Sequence, residues 1–146
     1  MAMISQILAE KGSDVLFINP DATIFEASLM MNRNKVGALV VLKNKKLVGI
    51  ISERDVLTKV IAAQLDPTKT LVSKVMTRDV IKVSVDKKIE DASQMMTQCK
   101  IRHLPVVDNQ DQLRGMISIG DINCHRMTRQ ARRISSLEDY LYGYAM

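Results

Sequence analysis

Residues 14–44 read DVLFINPDATIFEASLMMNRNKVGALVVLKN, and residues 79–109 read DVIKVSVDKKIEDASQMMTQCKIRHLPVVDN. Laid over each other at a shift of 65, the two stretches agree at twelve of 31 positions. The shared residues include Ile24/Ile89, Ala27/Ala92, Met30/Met95, Met31/Met96, Lys35/Lys100 and Leu39/Leu104. One extra residue in the second copy moves the shift to 66, and LVGIISERDV (47–56) then falls on LRGMISIGDI (113–122). The chain is a duplicated unit of roughly 50 residues, the scale at which repeats are single supersecondary units.

Each copy has the same order of signals. A strand is expected at VLFI (15–18) and at VIKV (80–83). A helix follows, because Ile24, Ala27, Met30 and Met31, and their counterparts, recur at helical spacing. The pairs ALVVL/LVGIIS and HLPVVD/LRGMIS read as hairpins around polar turns at 43–46 and 109–111. A second helix starts near Glu53 or Ile119. The expected fold class is α+β, two β-α-β-β-α repeats related by a pseudo-twofold. Neither unit hides its apolar surface alone, so the sheets should pack on each other with helices outside. By chain order, residues 1–64 form repeat 1 with a short N-terminal helix over 3–10. Residues 65–77 form a linker that Pro67 opens, and residues 78–142 form repeat 2 with a helix over 122–142.

Composition narrows the function. Apolar residues make up 47% of the 146 and aromatics 3%, with no Trp. The core is therefore aliphatic, and few rings are available to stack bases as single-strand nucleic-acid binders do. A net charge of +5 suits anionic partners without choosing among them. No charged-then-apolar leader and no apolar run of membrane-spanning length is present, so the expected location is the cytoplasm. Cys99 and Cys124 lack CxxC spacing and form no ligand set with the two histidines. There is no nucleophile–base pair, phosphate-cradling glycine loop or dinucleotide fingerprint, and no catalysis is expected.

The chemistry lies where each third strand meets the second helix. Repeat 1 has Gly49-Ile50-Ile51-Ser52-Glu53-Arg54-Asp55, and repeat 2 has Gly115-Met116-Ile117-Ser118-Ile119-Gly120-Asp121. Ser-x-x-Asp at a helix start is an ordinary cap. The same geometry also suits a nucleotide. The helix N-terminus and Ser offer donors to a phosphate, and the carboxylate can accept from two adjacent ribose hydroxyls.

With these motifs in place, the chain resembles a tandem CBS-domain pair (a Bateman module) of the small stand-alone bacterial type. The resemblance runs from residue 1 to about 142 and includes the SLEDYLYG tail. It implies a homodimer, a regulated protein partner, no catalysis and an adenine-containing ligand: AMP first, with ADP, ATP, NAD or S-adenosylmethionine as alternatives. Carried over residue by residue, it implies two pockets. The first holds Lys11, Gly12, Asp14, Val15, Leu16, Val36, Gly37, Arg102, His103, Ser118, Gly120 and Asp121. There Lys11 to Leu16 would wall the adenine, and Arg102 and His103 would face the phosphate. The second holds Ser52, Arg54 and Asp55 with Thr77, Asp79, Val80, Ile81 and Ile101. Helix positions Val56, Leu57, Val60 and Ile61, with Ile119, Ile122 and Met127, would meet across the dimer.

Two other functions compete: a constitutive dimerisation scaffold with vestigial clefts, and a basic nucleic-acid binder. The second would use Arg126, Arg129, Arg132 and Arg133, which otherwise form a solvated helix face. His125 reads as a surface residue.

Overall fold

The computed structural model describes residues 2–12 and 14–142. Helix α1 (Ile4–Lys11) precedes the first repeat, which contains β1 (Phe17–Ile18), α2 (Ile24–Asn34), β2 (Ala38–Lys43) and β3 (Lys46–Ser52). A turn of helix, α3 (Glu53–Asp55), runs directly into a π-helical segment, Val56–Ile61. After the short α4 (Val72–Val75) come β4 (Val83–Ser84), α5 (Ile89–Cys99), β5 (His103–Val107), β6 (Leu113–Ser118) and the long α6 (Ile119–Tyr142). Two three-stranded sheets result, ordered β1-β2-β3 and β4-β5-β6. In each, the first strand is parallel to the second and the hairpin is antiparallel.

The duplication is legible at atomic detail. Both α2 and α5 end on a left-handed lysine, Lys35 at φ 54° and Lys100 at φ 55°, whose N–H returns to the carbonyl of Met31 or Met96. The apolar stripes foreseen on these helices are buried: Ile24, Ala27 and Met31 in one core, Ile89, Ala92 and Met96 in the other. Strand β2 is buried on both faces. Leu39 and Val41 enter the first core, while Ala38 and Val40, pointing the other way, are 1% and 0% exposed. A fully covered second face is what sheet-on-sheet packing requires.

The helices preceding each repeat are exchanged. Ile4, Ile7 and Leu8 of α1 lie in the core of repeat 2, with Leu104, Ile117 and Ile122. Val72, Val75 and Met76 lie in the core of repeat 1, with Leu39, Ile51 and Val60. The backbone joins in the same way at both places. Ile4 N–H donates to Lys87 O and Ile89 N–H to Ala2 O, while Val72 N–H donates to Ala22 O and Ile24 N–H to Thr70 O. The motif glycines make room for the crossing. A Cβ on Gly115 would fall 2.6 Å from Leu8 Cδ2, and one on Gly49 2.5 Å from Met76 Sδ. Each repeat is thus completed by the helix that precedes the other.

Several expectations are corrected. The first strands span 17–18 and 83–84 rather than 15–18 and 80–83. The chain reaches each sheet from the opposite repeat, from α1 or from the Thr77–Ile50 bridge, and enters register only at Phe17 and Val83. The helix expected to start near Ile119 and the C-terminal helix expected over 122–142 are one continuous helix, Ile119–Tyr142. Of the residues expected at a dimer contact, Val60 and Ile122 are fully buried in their own cores, and Val56 and Ile119 pack against those cores. Leu57, Ile61 and Met127 are exposed.

Candidate functional site

Both Ser-x-x-Asp motifs fold as reciprocal caps. Ser52 N–H donates to Asp55 Oδ2 (3.0 Å) and Asp55 N–H returns to Ser52 Oγ (3.2 Å). Ser118 N–H donates to Asp121 Oδ2 (2.8 Å) and Asp121 N–H returns to Ser118 Oγ (3.1 Å). The cap therefore accounts for part of the motif in each repeat. What else each carboxylate holds is different.

Asp55 is sealed within its own helix. Its Oδ1 lies 3.0 Å from Lys59 Nζ, one turn on, and Lys59 also donates to Val75 O (3.2 Å) on α4. Ser52 Oγ adds a second bond to Oδ2 (3.1 Å). The side chain is 12% exposed. Around it, Thr77 exchanges backbone hydrogen bonds with Ile50. Arg54, Asp79 and Ile81 face solvent and Val80 is half-buried. Ile101 packs against the second core, so its side chain is committed there.

Asp121 is held from outside its repeat. Lys11, the last residue of α1, places Nζ 2.7 Å from Asp121 Oδ2 and 2.7 Å from Met116 O. This pair is half-open, with Lys11 41% and Asp121 25% exposed. Burial pushes the Asp121 carboxyl up, but the bonds from Lys11 and Ser118 together outweigh it and hold the group below the usual carboxylate range. His103, opening β5, sits beside the same group. Burial is the main cause that lowers its pKa from 6.5. The charges of Glu53 and Asp121 act upward, and those of Lys11 and Arg102 downward. The net effect favours the neutral imidazole. Gly37 closes the wall: a Cβ there would sit 3.2 Å from Glu53 Oε1 and 3.4 Å from His103 Cε1.

Of the first expected pocket, the structure thus gathers Lys11, Gly37, Arg102, His103, Ser118 and Asp121. Lys11, expected among the adenine-wall residues, places its ammonium on the Asp121 carboxylate. Gly12 follows at φ 95°, a backbone conformation open to glycine, and turns the chain toward β1. Asp14, Val15 and Leu16 precede β1 outside any helix or strand, with Asp14 and Leu16 exposed. Val36 packs at the edge of the first core, and Gly120 is exposed in the first turn of α6. Glu53 was not anticipated. It occupies the first x position after Ser52, two residues before Asp55, and no spacing rule points across the repeats to His103.

Two hollows lie elsewhere. One of about 460 Å³ lies between α2 and α3, sharing Val36, Gly37 and Glu53 with this wall but no residue of Ser118–Asp121. One of about 270 Å³ lies between α1 and α6. Among the described residues no cluster of His, Cys, Asp and Glu could hold a metal ion, and no helix is long and apolar enough to cross a membrane.

The CBS-domain family model matches residues 5–62 and again 72–124. The chain belongs to the CBS-domain family. Both matched segments begin within an exchanged helix, α1 or α4. The chain is 34% identical over 119 residues to the CBS domain-containing protein YhcV of Bacillus subtilis (strain 168), covering 82% of this chain and 84% of that one. A putative signal-transduction protein with CBS domains from Burkholderia ambifaria MC40-6 has the same fold, with a TM-score of 0.85 and 30% identity. That match covers 88% of this chain and 96% of the other. The CBS domain protein PAE2072 from Pyrobaculum aerophilum, whose structure is complexed with AMP, matches with a TM-score of 0.73 and 28% identity, covering 82% and 88%.

Proposed function

We propose that this CBS pair is a non-catalytic regulatory module that binds an adenine nucleotide, AMP by preference, in the cleft at Asp121. The observation that carries this reading is the Lys11–Asp121 pair. A carboxylate at a helix start is held by a mobile, half-exposed ammonium from another element. Exposed ion pairs of this kind are worth only about 0–1 kcal/mol. A ribose diol can therefore take the carboxylate at small cost, and the released ammonium is placed to follow the phosphate. Ser118, the α6 N-terminus and Arg102 offer further donors to that phosphate. The AMP complex of PAE2072 supports the ligand class.

Binding would act on a dimer or a regulated protein by favouring one conformation over another. Leu57 and Ile61, 62% and 56% exposed on the π-helical segment, are the remaining candidates for the subunit contact. Calorimetry with AMP and adenosine tests the proposal. AMP should bind more tightly, because charge-assisted bonds to its phosphate are the stronger kind. Equal affinity for both would remove the phosphate assignment, and binding of neither would leave a scaffold with vestigial clefts.

A further inference from the structure

Where α1 and α6 lie side by side, the seam between them is polar. Each helix sends its apolar side elsewhere: Ile4, Ile7 and Leu8 of α1 and Ile122 of α6 belong to the second core. What remains between the helices is the hollow of about 270 Å³. Ala2, just ahead of α1, lines it with Gln6 and Glu10. From α6 come His125, Thr128, Arg129 and Arg132, whose spacing of three, one and three places them on one helix face. His125 is the most enclosed polar side chain of this lining, 15% exposed.

Charge in the hollow is unbalanced. Glu10 is its one carboxylate, and it faces His125 Nδ1 at 3.6 Å. Among the described residues, neither Arg129 nor Arg132 has an ion-pair partner. Arg126, by contrast, is committed to Glu90 (2.6 Å). Two like charges one turn apart weaken a helix, and an anion between them converts that repulsion into attraction.

The donors indicate which anion. A carboxylate has two oxygens, which a single guanidinium fork can satisfy. Here two forks stand one turn apart, with the Thr128 hydroxyl and the His125 ring beside them. Gln6 uses its Oε1 to accept from Met3 N–H (2.7 Å), so its NH2 group is what it has to offer a ligand. That set suits a group with three or more acceptor oxygens, a phosphate. A nucleoside base is not suited, since Ala2 is the only apolar residue of the lining and ligand sites for flat apolar groups are mostly apolar. The volume also lies below the roughly 300–1,000 Å³ of sites for drug-sized molecules.

We propose that the hollow between α1 and α6 is a second anion site, which takes the phosphate or pyrophosphate group of a small soluble molecule on Arg129 and Arg132. It shares no lining residue with the Asp121 cleft and does not rest on the nucleotide reading of that cleft.

Calorimetry with pyrophosphate tests the site in the full chain. Wild type should bind, and Arg129→Ala and Arg132→Ala should each weaken binding at least about tenfold. Both residues are exposed on a helix and alanine is a good helix former, so a circular dichroism spectrum should show the fold retained. Arg129→Lys keeps the charge but loses the fork, and it should weaken binding severalfold. Glu10→Gln removes the competing carboxylate and should tighten binding, whereas Glu138→Gln, outside the hollow, should not. No binding of pyrophosphate at millimolar concentration would overturn the proposal. Loss of binding in Arg102→Ala with retention in Arg129→Ala would put the anion in the Asp121 cleft and overturn it as well. So would retardation of a short DNA duplex that depends on Arg129 and Arg133 in the absence of pyrophosphate binding, which would assign these arginines to nucleic acid.

Discussion

The two Ser-x-x-Asp motifs share a spacing and a reciprocal backbone cap, yet their carboxylates have different further partners. Asp55 is bonded to Ser52 and to Lys59 of its own helix, and it is nearly buried. Asp121 is bonded to Ser118 and to Lys11, which arrives from α1. A partner one turn away on a rigid helix stays with its carboxylate. Both lysines are about half in solvent, Lys59 at 47% and Lys11 at 41%; Lys11 differs in arriving from a separate helix and in serving the more open carboxylate, 25% exposed against 12%. The duplicated motif therefore caps both helices but leaves only Asp121 held from another element: the residue one turn beyond Asp55 is Lys59, whereas the residue one turn beyond Asp121 is His125, which faces Glu10 (3.6 Å).

The sharpest contrast is between the two alanine variants. Asp121→Ala should weaken AMP binding at least about tenfold, because hydrogen bonds to a charged group contribute roughly 1.5–3 kcal/mol. Asp55→Ala should leave AMP affinity within about threefold of wild type. Its cost should appear in stability, on the order of 1–2 kcal/mol for the lost cap, measurable by denaturant unfolding. Calorimetry and unfolding on both variants would break the comparison if the effects were reversed.

Lys11→Met sharpens it. Without the competing ammonium, adenosine should bind up to about fivefold more tightly, the equivalent of an exposed pair worth no more than about 1 kcal/mol. The preference for AMP over adenosine should shrink severalfold, because the phosphate loses a cation. The corresponding Lys59→Met should change neither ratio.

The pH dependence is the smaller effect. His103 has a lowered pKa, chiefly through burial. A phosphate nearby would raise it, so binding takes up a proton and AMP affinity should improve severalfold between pH 8 and pH 6.5. His103→Gln should flatten that slope. The same depressed pKa contributes stability above the ordinary value of 6.5, and that contribution is lost as pH falls below it. Unfolding of wild type and His103→Gln at pH 7.5 and 5.5 would show a difference in pH sensitivity of that sign.

Much of this architecture is legible in the sequence because it is periodic and local. The repeat follows from identities at a fixed shift, the hairpins from polar turns between apolar runs, and the helix starts from Ser52 and Ser118. The exchange of α1 and α4 is not legible. Ile4, Ile7 and Leu8 share no identity with Val72, Val75 and Met76, and only shape equates them, each set resting over a motif glycine. Gly115 and Gly49 do carry the signal, as positions where another side chain approaches the strand, but they do not say whose. Lys11 is a similar case. Its place in the first pocket came from the family resemblance, whereas its contact with Asp121 depends on a long side chain and on a helix that docks across the repeats. The burial of Val60 and Ile122 was missed because a helix with two apolar faces does not reveal which one its own core takes.

The most direct measurement is a crystal structure of the protein grown with AMP. The ribose hydroxyls are expected on the Asp121 carboxylate, the phosphate near Ser118 and Arg102, and Lys11 moved from Asp121 toward the phosphate. AMP bound on Asp55, or bound elsewhere with the Lys11–Asp121 pair intact, would contradict it.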